Sequence, residues 1–435
     1  EDGELRFEVT KAGTDANVAL SLDANSRISL SNNDSGTQNT VFGHSAGLNI
    51  DAGTNYNTFI GYVSAGGATL ADATSNTAVG YATLNALTSG GSNTAVGTNA
   101  LLSLNTGTRN VAIGVGALDD LEANATTADG NVAVGYAAAG EIDTGSANVA
   151  IGTASLDAAT GAVSDCTLVG TRTGAAINNT AANGTVAVGY YALNDLTSGA
   201  RNTAVGYQAM DEITVGEDNV AFGHGALGGA STSSENKRNV AIGASSVSGT
   251  NAGASANIAI GYAALDGNLT SAADNNTAVG YYAGSGITSA TDNVAIGANS
   301  LEKITTGGEN VAVGKFALQD ATFGEGANVA IGYGAMLDMN EGSHANSSVD
   351  YNIAIGYHAL KGGAFAGSDI EVDNNIAIGA FALDATDTNA HSGTIAIGYN
   401  ALTACTSGSA NTAVGYGSMD ALTTGSNNTG LGDRS

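Results

Sequence analysis

Residues 41 to 47, VFGHSAG, have the types and spacing of a hydrolase active site. Gly43-His44-Ser45-Ala46-Gly47 matches G-x-S-x-G, the turn that presents the nucleophilic serine of many esterases and lipases. That turn needs a strand before it, a helix after it, and an acidic residue and a histidine downstream. The chain has five histidines, none in a context that suggests such a pairing, at positions 44, 224, 344, 358 and 391. The serine therefore needs another explanation.

Carboxylates are the other side chains that could do chemistry. Asp119, Asp120 and Glu122 lie together in a segment whose oxygens could hold Ca²⁺, the one cofactor that the residues suggest. The chain has no EF-hand loop, no G-G-x-G-x-D calcium repeat, no P-loop, no C-x-x-C and no H-E-x-x-H motif. We therefore expect no catalytic residue, no bound cofactor and no enzymatic activity.

Composition and charge narrow the range of partners. The 435 residues include 63 glycines, no proline and no tryptophan, so small and β-branched residues supply most of the apolar surface. With 40 acidic and 12 basic residues, the net charge is -28. Binding to a nucleic-acid backbone requires clustered Lys and Arg, which this chain lacks. No apolar run approaches the ~18 residues of a membrane span. We expect neither nucleic acid nor a membrane as a partner.

An internal repeat explains the apparent G-x-S-x-G turn, which is known as a nucleophile elbow. The phrase N-β-A-Φ-G-Y-x-A-L, numbered here as positions 1 to 9, occurs 22 times between Asn39 and Gly432. Here β is Thr, Val or Ile, and Φ is Val, Ile, Phe or Leu. The position-5 glycines are 17 to 24 residues apart, and Ser45 occupies the variable position 7 of the first copy. Repeat residues predicted to be structural include Asn76, Gly80, Asn202, Gly206, Asn257, Gly261, Asn411 and Gly415.

Positions 2 to 4 have the alternation of a β-strand. Bulky side chains such as Val111 and Ile113 share one face, and Ala112 and Gly114 share the other. We expect the bulky face to point into a core. The smooth face would then allow a second backbone to approach closely, which predicts an oligomer with its strands near a shared axis.

The segment after the glycine has two interpretations. Apolar residues three apart, such as Leu84 with Leu87 and Leu301 with Ile304, precede a glycine and suggest a short helix with a glycine cap. A second short strand is the alternative. Neither version of a 17-residue unit buries its own apolar face, so the units must stack. The predicted fold is mainly β, a repeat β-solenoid of about 22 turns of 17–24 residues.

Two repeated side chains predict contacts between turns. Asn stands at position 1 in 19 of 22 copies. It could form a ligand-binding array, but a ladder of amides bonded from turn to turn is the interpretation we favour. Tyr stands at position 6 in 11 copies, for example Tyr262 and Tyr281, and could bind sugars or stack on its neighbours. We favour stacking.

The repeat also defines the organisation of the chain. We expect an N-terminal β connector or cap at 1–38, a solenoid shaft at 39–432 and a short tail at 433–435. The longest insertions span about 119–130, 337–351 and 361–374. Insertions in solenoids often project from one face and supply binding surface. The candidate receptor contacts within them are His344, Tyr351, Phe365 and Asp369. The alternative is that these are neutral insertions without a binding role.

The phrases NTAVGYQAM, NVAIGYGAM and TTGSNNTG resemble repeats of phage tail fibres and other virion fibres. They are also similar to the N-x-A-I-G repeats in the heads of trimeric autotransporter adhesins. The resemblance covers 39–432 and implies a homotrimer of parallel β-solenoids in a host-binding appendage. Its partners would be its own copies, other virion or appendage structural proteins, and a host receptor that is a glycan or a surface protein.

The longer turn, and the lack of a stalk coiled coil or membrane anchor, favour the virion fibre over the adhesin. The expected function is therefore that of a structural virion fibre that attaches to a host surface, located on an extracellular virion. The alternative is a trimeric bacterial surface adhesin or an extracellular structural filament at the bacterial cell surface. A glycan-cleaving tailspike ranks third. It predicts a pair of carboxylates in a groove, and measurable cleavage of a polysaccharide would support it.

Overall fold

The structure is a computed structural model that describes residues 5–9, 17–22, 28–29, 38–121, 128–229, 236–322, 324–339, 348–363, 371–386 and 391–435. These residues form strands and turns, with one short 3₁₀ turn at Thr180–Ala182 and no α-helix among them. The chain divides into two compact units, Glu1–Tyr190 and Tyr191–Ser435.

The first unit begins with a small antiparallel sheet. Strand β2 (Asn17–Leu22) pairs with β1 (Leu5–Val9) and with β3 (Ile28–Ser29). These strands lie in the predicted connector, ahead of the first repeat. The repeats of this unit then add one three-residue strand per turn: β4 Thr40–Phe42, β5 Thr58–Ile60, β6 Thr77–Val79, β7 Thr94–Val96, β8 Val111–Ile113, β9 Val132–Val134, β10 Val149–Ile151, β11 Thr167–Val169 and β12 Val186–Val188.

The second unit continues the same pattern. Its strands are β13 Thr203–Val205, β14 Val220–Phe222, β15 Val240–Ile242, β16 Ile258–Ile260, β17 Thr277–Val279, β18 Val294–Ile296, β19 Val311–Val313, β20 Val329–Ile331, β21 Ile353–Ile355, β22 Val372–Asp373, β23 Ile376–Ile378, β24 His391–Ser392, β25 Ile395–Ile397, β26 Thr412–Val414 and β27 Thr429–Leu431. The short strands β22 and β24 pair only with each other.

Within each unit the repeat strands pair parallel and in register. Position 2 of one turn lies beside position 2 of the next, as in Thr277 with Val294, and the same holds for Ala278 with Ala295. One strand per turn, stacked in parallel, is a β-solenoid. The predicted fold class is therefore confirmed for each unit.

The segment after the glycine is neither the helix nor the second strand that the sequence suggests. Positions 7 and 9 adopt left-handed backbone conformations, with φ of 57° at Asn299 and 49° at Leu301. Their backbone amides donate to different turns. Asn299 N–H donates to Tyr281 O of the preceding turn (2.8 Å), and Leu301 N–H donates to Ala317 O of the following turn (3.1 Å). Alternating left-handed residues exclude an α-helix and an extended strand alike. The apolar spacing of three comes from a single turn that points both side chains inward.

The two faces of the strand are also reversed from the prediction. Ala112 is fully buried, whereas Ile113 is 41% exposed. The core is filled from the turn side by the large residues at position 9 and three places later, such as Leu101 and Leu104. Those side chains reach across a thin interior to the strand, so position 3 has space for little more than a methyl group. The bulky side chains at positions 2 and 4 therefore face outward.

Exceptions at position 3 show that the two sides share one fixed volume. Leu168 and Phe59 replace the usual alanine there and are buried. Position 9 of the same turns is then small, Gly174 and Ala65. A Cβ on Gly174 would lie 3.0 Å from Leu168 Cδ1. A large residue on one side of the core thus requires a small one on the other, as close packing demands.

The position-5 glycines form one regular file in each unit. Their φ values, from 126° to 145°, lie in a region that L-residues rarely adopt. A Cβ on Gly280 would also lie 2.5 Å from the carbonyl oxygen of Gly297 in the next turn. Glycine is required both by the backbone conformation and by the close approach of the neighbouring turn.

The position-1 asparagines form the predicted ladder. Asn310 is fully buried, and its Oδ1 accepts from the N–H (3.0 Å) and Nδ2 (3.1 Å) of Asn328. Its own Nδ2 donates to Asn293 Oδ1 (3.1 Å) and to Glu325 O (2.8 Å). One side chain thereby links three successive turns. The ladder changes where another residue takes the position, at Cys166, Thr185 and Thr394.

Gly280→Ala should destabilise the solenoid far more than Gly432→Ala. Both alanines would have an unfavourable φ, which costs about 1–3 kcal/mol. No atom lies within 4 Å of a Cβ on Gly432, so that variant isolates the conformational cost. We expect Gly280→Ala to lower the free energy of unfolding by at least about 2 kcal/mol more, because of overpacking. Urea denaturation of both variants measures the difference. Equal losses would contradict the close approach between turns.

Substitutions in the ladder should shift stability in both directions. Asn310→Ala removes four side-chain hydrogen bonds and leaves buried groups unsatisfied, so we expect a loss of about 3 kcal/mol. Thr394 occupies position 1 of its turn, and its hydroxyl is buried without a hydrogen-bond partner. Thr394→Asn restores the amide and should stabilise by about 1 kcal/mol. Thermal melting of both variants tests this, and destabilisation by Thr394→Asn would argue against the ladder.

Candidate functional site

The outward face of the repeat strands is the most extensive candidate surface. We call the side chains at positions 2 and 4 the strand face. At position 4, Ile260, Ile296 and Ile355 are each 37–40% exposed. None of the 40 acidic and 12 basic residues stands at position 2 or 4 in any of the 22 copies. Position 2 is Thr in nine copies and Val or Ile in the others. Each unit therefore presents a charge-free and mainly apolar strip along its sheet.

The position-6 tyrosines border the strand face and stack on one another. Ring centroids lie 5.5 Å apart in Tyr62–Tyr81 and 5.6 Å apart in Tyr262–Tyr281, with interplanar angles of 4° and 16°. The prediction of stacking is confirmed for these pairs. Because the ring faces contact each other, the column offers solvent mainly ring edges and hydroxyl groups. It is poorly suited to hold a sugar against a ring face.

The apparent hydrolase elbow has the geometry of the repeat. Ser45 Oγ lies 3.0 Å from Nδ1 of the adjacent His44, on an exposed surface, and the His44 ring stacks on Tyr62. The left-handed φ of Ser45, 55°, recurs at position 7 of other turns, as at Ala82 (52°). A turn, not a helix, follows the serine. The strand–turn–helix context that defines a nucleophile elbow is therefore missing.

The remaining histidines have other roles. His224 stacks on Tyr207, and His358 stacks on two tyrosine rings. His391 is buried in the core, where burial lowers the pKa of its imidazole. His344 lies outside the described residues.

Of the predicted receptor contacts, Tyr351 is the one that the structure describes. Its side chain is 65% exposed. Phe365 and Asp369, like His344, lie outside the described residues. So does Glu122 of the suggested Ca²⁺ loop, while Asp119 and Asp120 are described. Among the described ranges, no group of three or more His, Cys, Asp or Glu side chains is placed to hold a metal ion.

A second ladder, which the sequence analysis missed, runs two residues before position 1. We call it the serine–aspartate column. In many turns the backbone N–H at this position donates to the side chain at the same position in the next turn: Asp350 N–H donates to Asp373 Oδ1 (2.9 Å), and Ser392 N–H to Ser409 Oγ (3.2 Å). The signal was present as Ser, Asp or Asn two places before many ladder asparagines. Further members are Ser164, Asn183, Ser255, Asp274 and Ser426.

Glycine stands at this column in two consecutive turns and borders a groove there. Gly308 and Gly326 occupy the column in consecutive turns, between Thr291 and Asp350. The groove has a volume of about 270 Å³ and is also lined by Glu309, Gly324, Ala327 and Tyr351. It therefore lies at the beginning of the strands, at the opposite end from the tyrosine column.

The groove combines fixed polar groups with an aromatic ring. Asp350 Oδ1 accepts from Gly326 N–H (2.7 Å), and Tyr351 N–H donates to Gly326 O (3.2 Å). Burial raises the pKa of the Asp350 carboxyl. Glu309 is exposed beside them and is held by the bond from its N–H to Thr291 O (3.0 Å). Carboxylate oxygens next to a tyrosine are suited to accepting hydrogen bonds from a polar ligand.

A set of half-buried carboxylates follows position 9. Burial is the main cause that raises the pKa of Asp119, Asp157, Asp211, Asp266 and Asp384. The largest effect raises the pKa of Asp211 to about 6, and the charges of Glu212 and Asp195 add to it. These groups make the stability of the solenoid depend on pH.

Comparison with known proteins gives no relatives: no family model, no curated protein and no solved structure matches this chain. Among the described residues there is no helix with the length and hydropathy needed to cross a membrane.

Asp211→Asn should stabilise the protein at neutral pH and have little effect in acid. The folded-state pKa of Asp211 lies above the ordinary value of 3.8, so ionisation opposes folding. The contribution of this group to stability is greatest below about pH 4 and is lost as the pH rises through 6. Melting temperatures at pH 4 and pH 7.5 test this. Asp292→Asn, at an exposed site, is the control. A pH-independent gain would contradict the assignment.

Proposed function

We propose that this chain forms the shaft of a structural fibre and associates with its own copies through the strand face. The charge-free strand face is the observation that carries the proposal. Monomeric soluble proteins rarely expose a large contiguous apolar patch, and such patches mark contact surfaces. Side chains of β-branched residues on a regular sheet also present a rigid surface that loses little conformational entropy on contact.

The area of this face is suited to a stable contact. In the unit Tyr191–Ser435, thirteen repeat strands of three residues each carry it. At ~4.8 Å between strands and ~3.3 Å per residue, the strip covers roughly 600 Å² before the bordering tyrosines are added. A standard protein interface covers about 800 Å² per partner. The strand face of this unit alone approaches that size.

The distribution of charge supports the same surface. Each chain carries a net charge of -28, so two copies repel each other in most relative orientations. Positions 2 and 4 face outward, and no copy carries a charged residue at either of them. Contact through the strand face buries apolar area while the acidic residues stay in solvent.

The resemblance to virion fibre repeats supports the remaining parts of the proposal. It favours a parallel homotrimer, and it favours a tail fibre or similar appendage that attaches an extracellular virion to a host surface, without enzymatic activity. The shaft would display its insertions along its length, as solenoids do. Immunogold labelling of intact virions with an antibody to this chain tests the location. Labelling of a bacterial cell surface in its place would support the adhesin.

Replacing Ile260 and Ile296 together by glutamate should dissociate the assembly. Both side chains belong to the strand face and point away from the core, so folding is preserved while two charges enter the contact. Sedimentation equilibrium should give about three times the chain mass for the unaltered protein and the chain mass for the variant. Ser271→Glu with Ala272→Glu adds the same charge at exposed positions off the strand face and should leave the trimer intact. A monomeric unaltered protein, or a trimeric Ile variant, would overturn the proposal.

A further inference from the structure

The groove beside Tyr351 differs from the rest of the repeat because side chains are missing from it. In many other turns a side chain of the serine–aspartate column fills this position, although Gly91 and Ala200 also lack one. A Cβ on Gly326 would meet only ordinary contacts, Gly308 O at 3.4 Å and Asp350 Oδ1 at 3.6 Å. A Cβ on Gly324 would have no atom within 4 Å. A Cβ on Gly308 would lie 3.0 Å from Thr291 O, so packing favours glycine there. The space beside Gly324 and Gly326 is open to a ligand and is not required by packing.

Tyr351 is placed differently from the position-6 tyrosines. It stands immediately before position 1, and among the described residues its ring stacks on no other aromatic ring. Its backbone is tied to the groove by the bond to Gly326 O, and its side chain is 65% exposed. A ring with a free face on a fixed backbone can pack against the apolar face of a pyranose.

The polar groups around the ring are hydrogen-bond acceptors with fixed positions. The carboxylate of Asp350 is oriented by Gly326 N–H. Glu309, like Tyr351, stands immediately before position 1, and its side chain is exposed. The Thr291 hydroxyl lines the same space. Ionised oxygens form the stronger class of hydrogen bond and suit vicinal hydroxyl groups of a sugar.

Size and charge limit the ligand. Pockets for drug-sized ligands span about 300–1,000 Å³, so a groove of about 270 Å³ holds a single monosaccharide unit. Glu309, Asp350 and the adjacent Asp292 make the surroundings acidic, in a chain of net charge -28. Acidic sugars such as sialic or uronic acids would be repelled. A metal ion is disfavoured because no three-carboxylate group occurs among the described residues.

We propose that this groove is a saccharide subsite that binds one neutral or amino sugar residue, with Tyr351 as the stacking platform and Glu309 and Asp350 as hydroxyl acceptors. The proposal rests on the attachment role proposed above, since it names the class of receptor. It does not depend on the assembly of the shaft, because the groove is formed within the unit Tyr191–Ser435.

Saturation-transfer NMR on the full chain tests the subsite. The probes are methyl glycosides of neutral hexoses, glucosamine, N-acetylneuraminic acid and glucuronic acid. We expect transfer to at least one neutral or amino sugar, with a Kd of about 1 mM, and none to the acidic sugars. Tyr351→Ala should weaken binding at least tenfold. Gly326→Ser should do the same by filling the groove with the residue that other turns carry at this position.

Tyr56→Ala is the matched control. Tyr56 also precedes position 1, with φ of 61° against 57° for Tyr351 and a side-chain exposure of 64% against 65%, but it does not line the groove. It should leave binding unchanged. Transfer to no sugar, transfer to acidic sugars alone, an equal loss in Tyr56→Ala, or full binding by Tyr351→Ala and Gly326→Ser would each overturn the subsite.

The same samples separate this proposal from the proposed shaft. Tyr351→Ala and Gly326→Ser should sediment with the mass of the unaltered protein. Absence of sugar binding in a protein that still assembles refutes the subsite alone. Sugar binding by a protein that does not assemble refutes the association through the strand face alone.

Discussion

Each turn of this protein depends on its neighbours because no turn satisfies its own buried polar groups. The amide of Asn310 bonds to Asn293 below and to Asn328 above, and the backbone amides of the turn segment donate alternately in the two directions. An isolated turn would leave these groups unpaired in an apolar interior, which is costly. The solenoid is therefore held by a nearest-neighbour interaction repeated along the chain.

The close spacing of the turns also determines what the interior can hold. Large side chains enter from the turn side, and the strand contributes alanine. Leu168 with Gly174 shows that the balance is one of volume, since a large strand residue appears with a small turn residue. The outward position of the β-branched residues follows directly. A thin core thus produces the apolar surface on which the proposed association depends.

The proposed subsite lies where a repeated side chain is lost. The serine–aspartate column is continuous enough to hide the backbone in many turns, and glycine at two consecutive members opens a groove without disturbing the strands beside it. In this arrangement the strands and the asparagine ladder stabilise the repeat, while the residue in the serine–aspartate column can vary. The proposed sugar subsite would then need no separate domain.

The sequence by itself determined the period, the parallel stacking of one strand per turn, the asparagine ladder and the stacked tyrosines. These follow from residues that recur in register, since identical groups placed one above another lie within reach of each other. The sequence did not determine which strand face is buried, because alternation separates two faces without saying which side the core occupies. It also suggested a helix where left-handed residues form a turn, because a single turn and a helix share the same apolar spacing. The groove was beyond prediction too: the absence of a side chain becomes a cavity only when the chain above and below is in place.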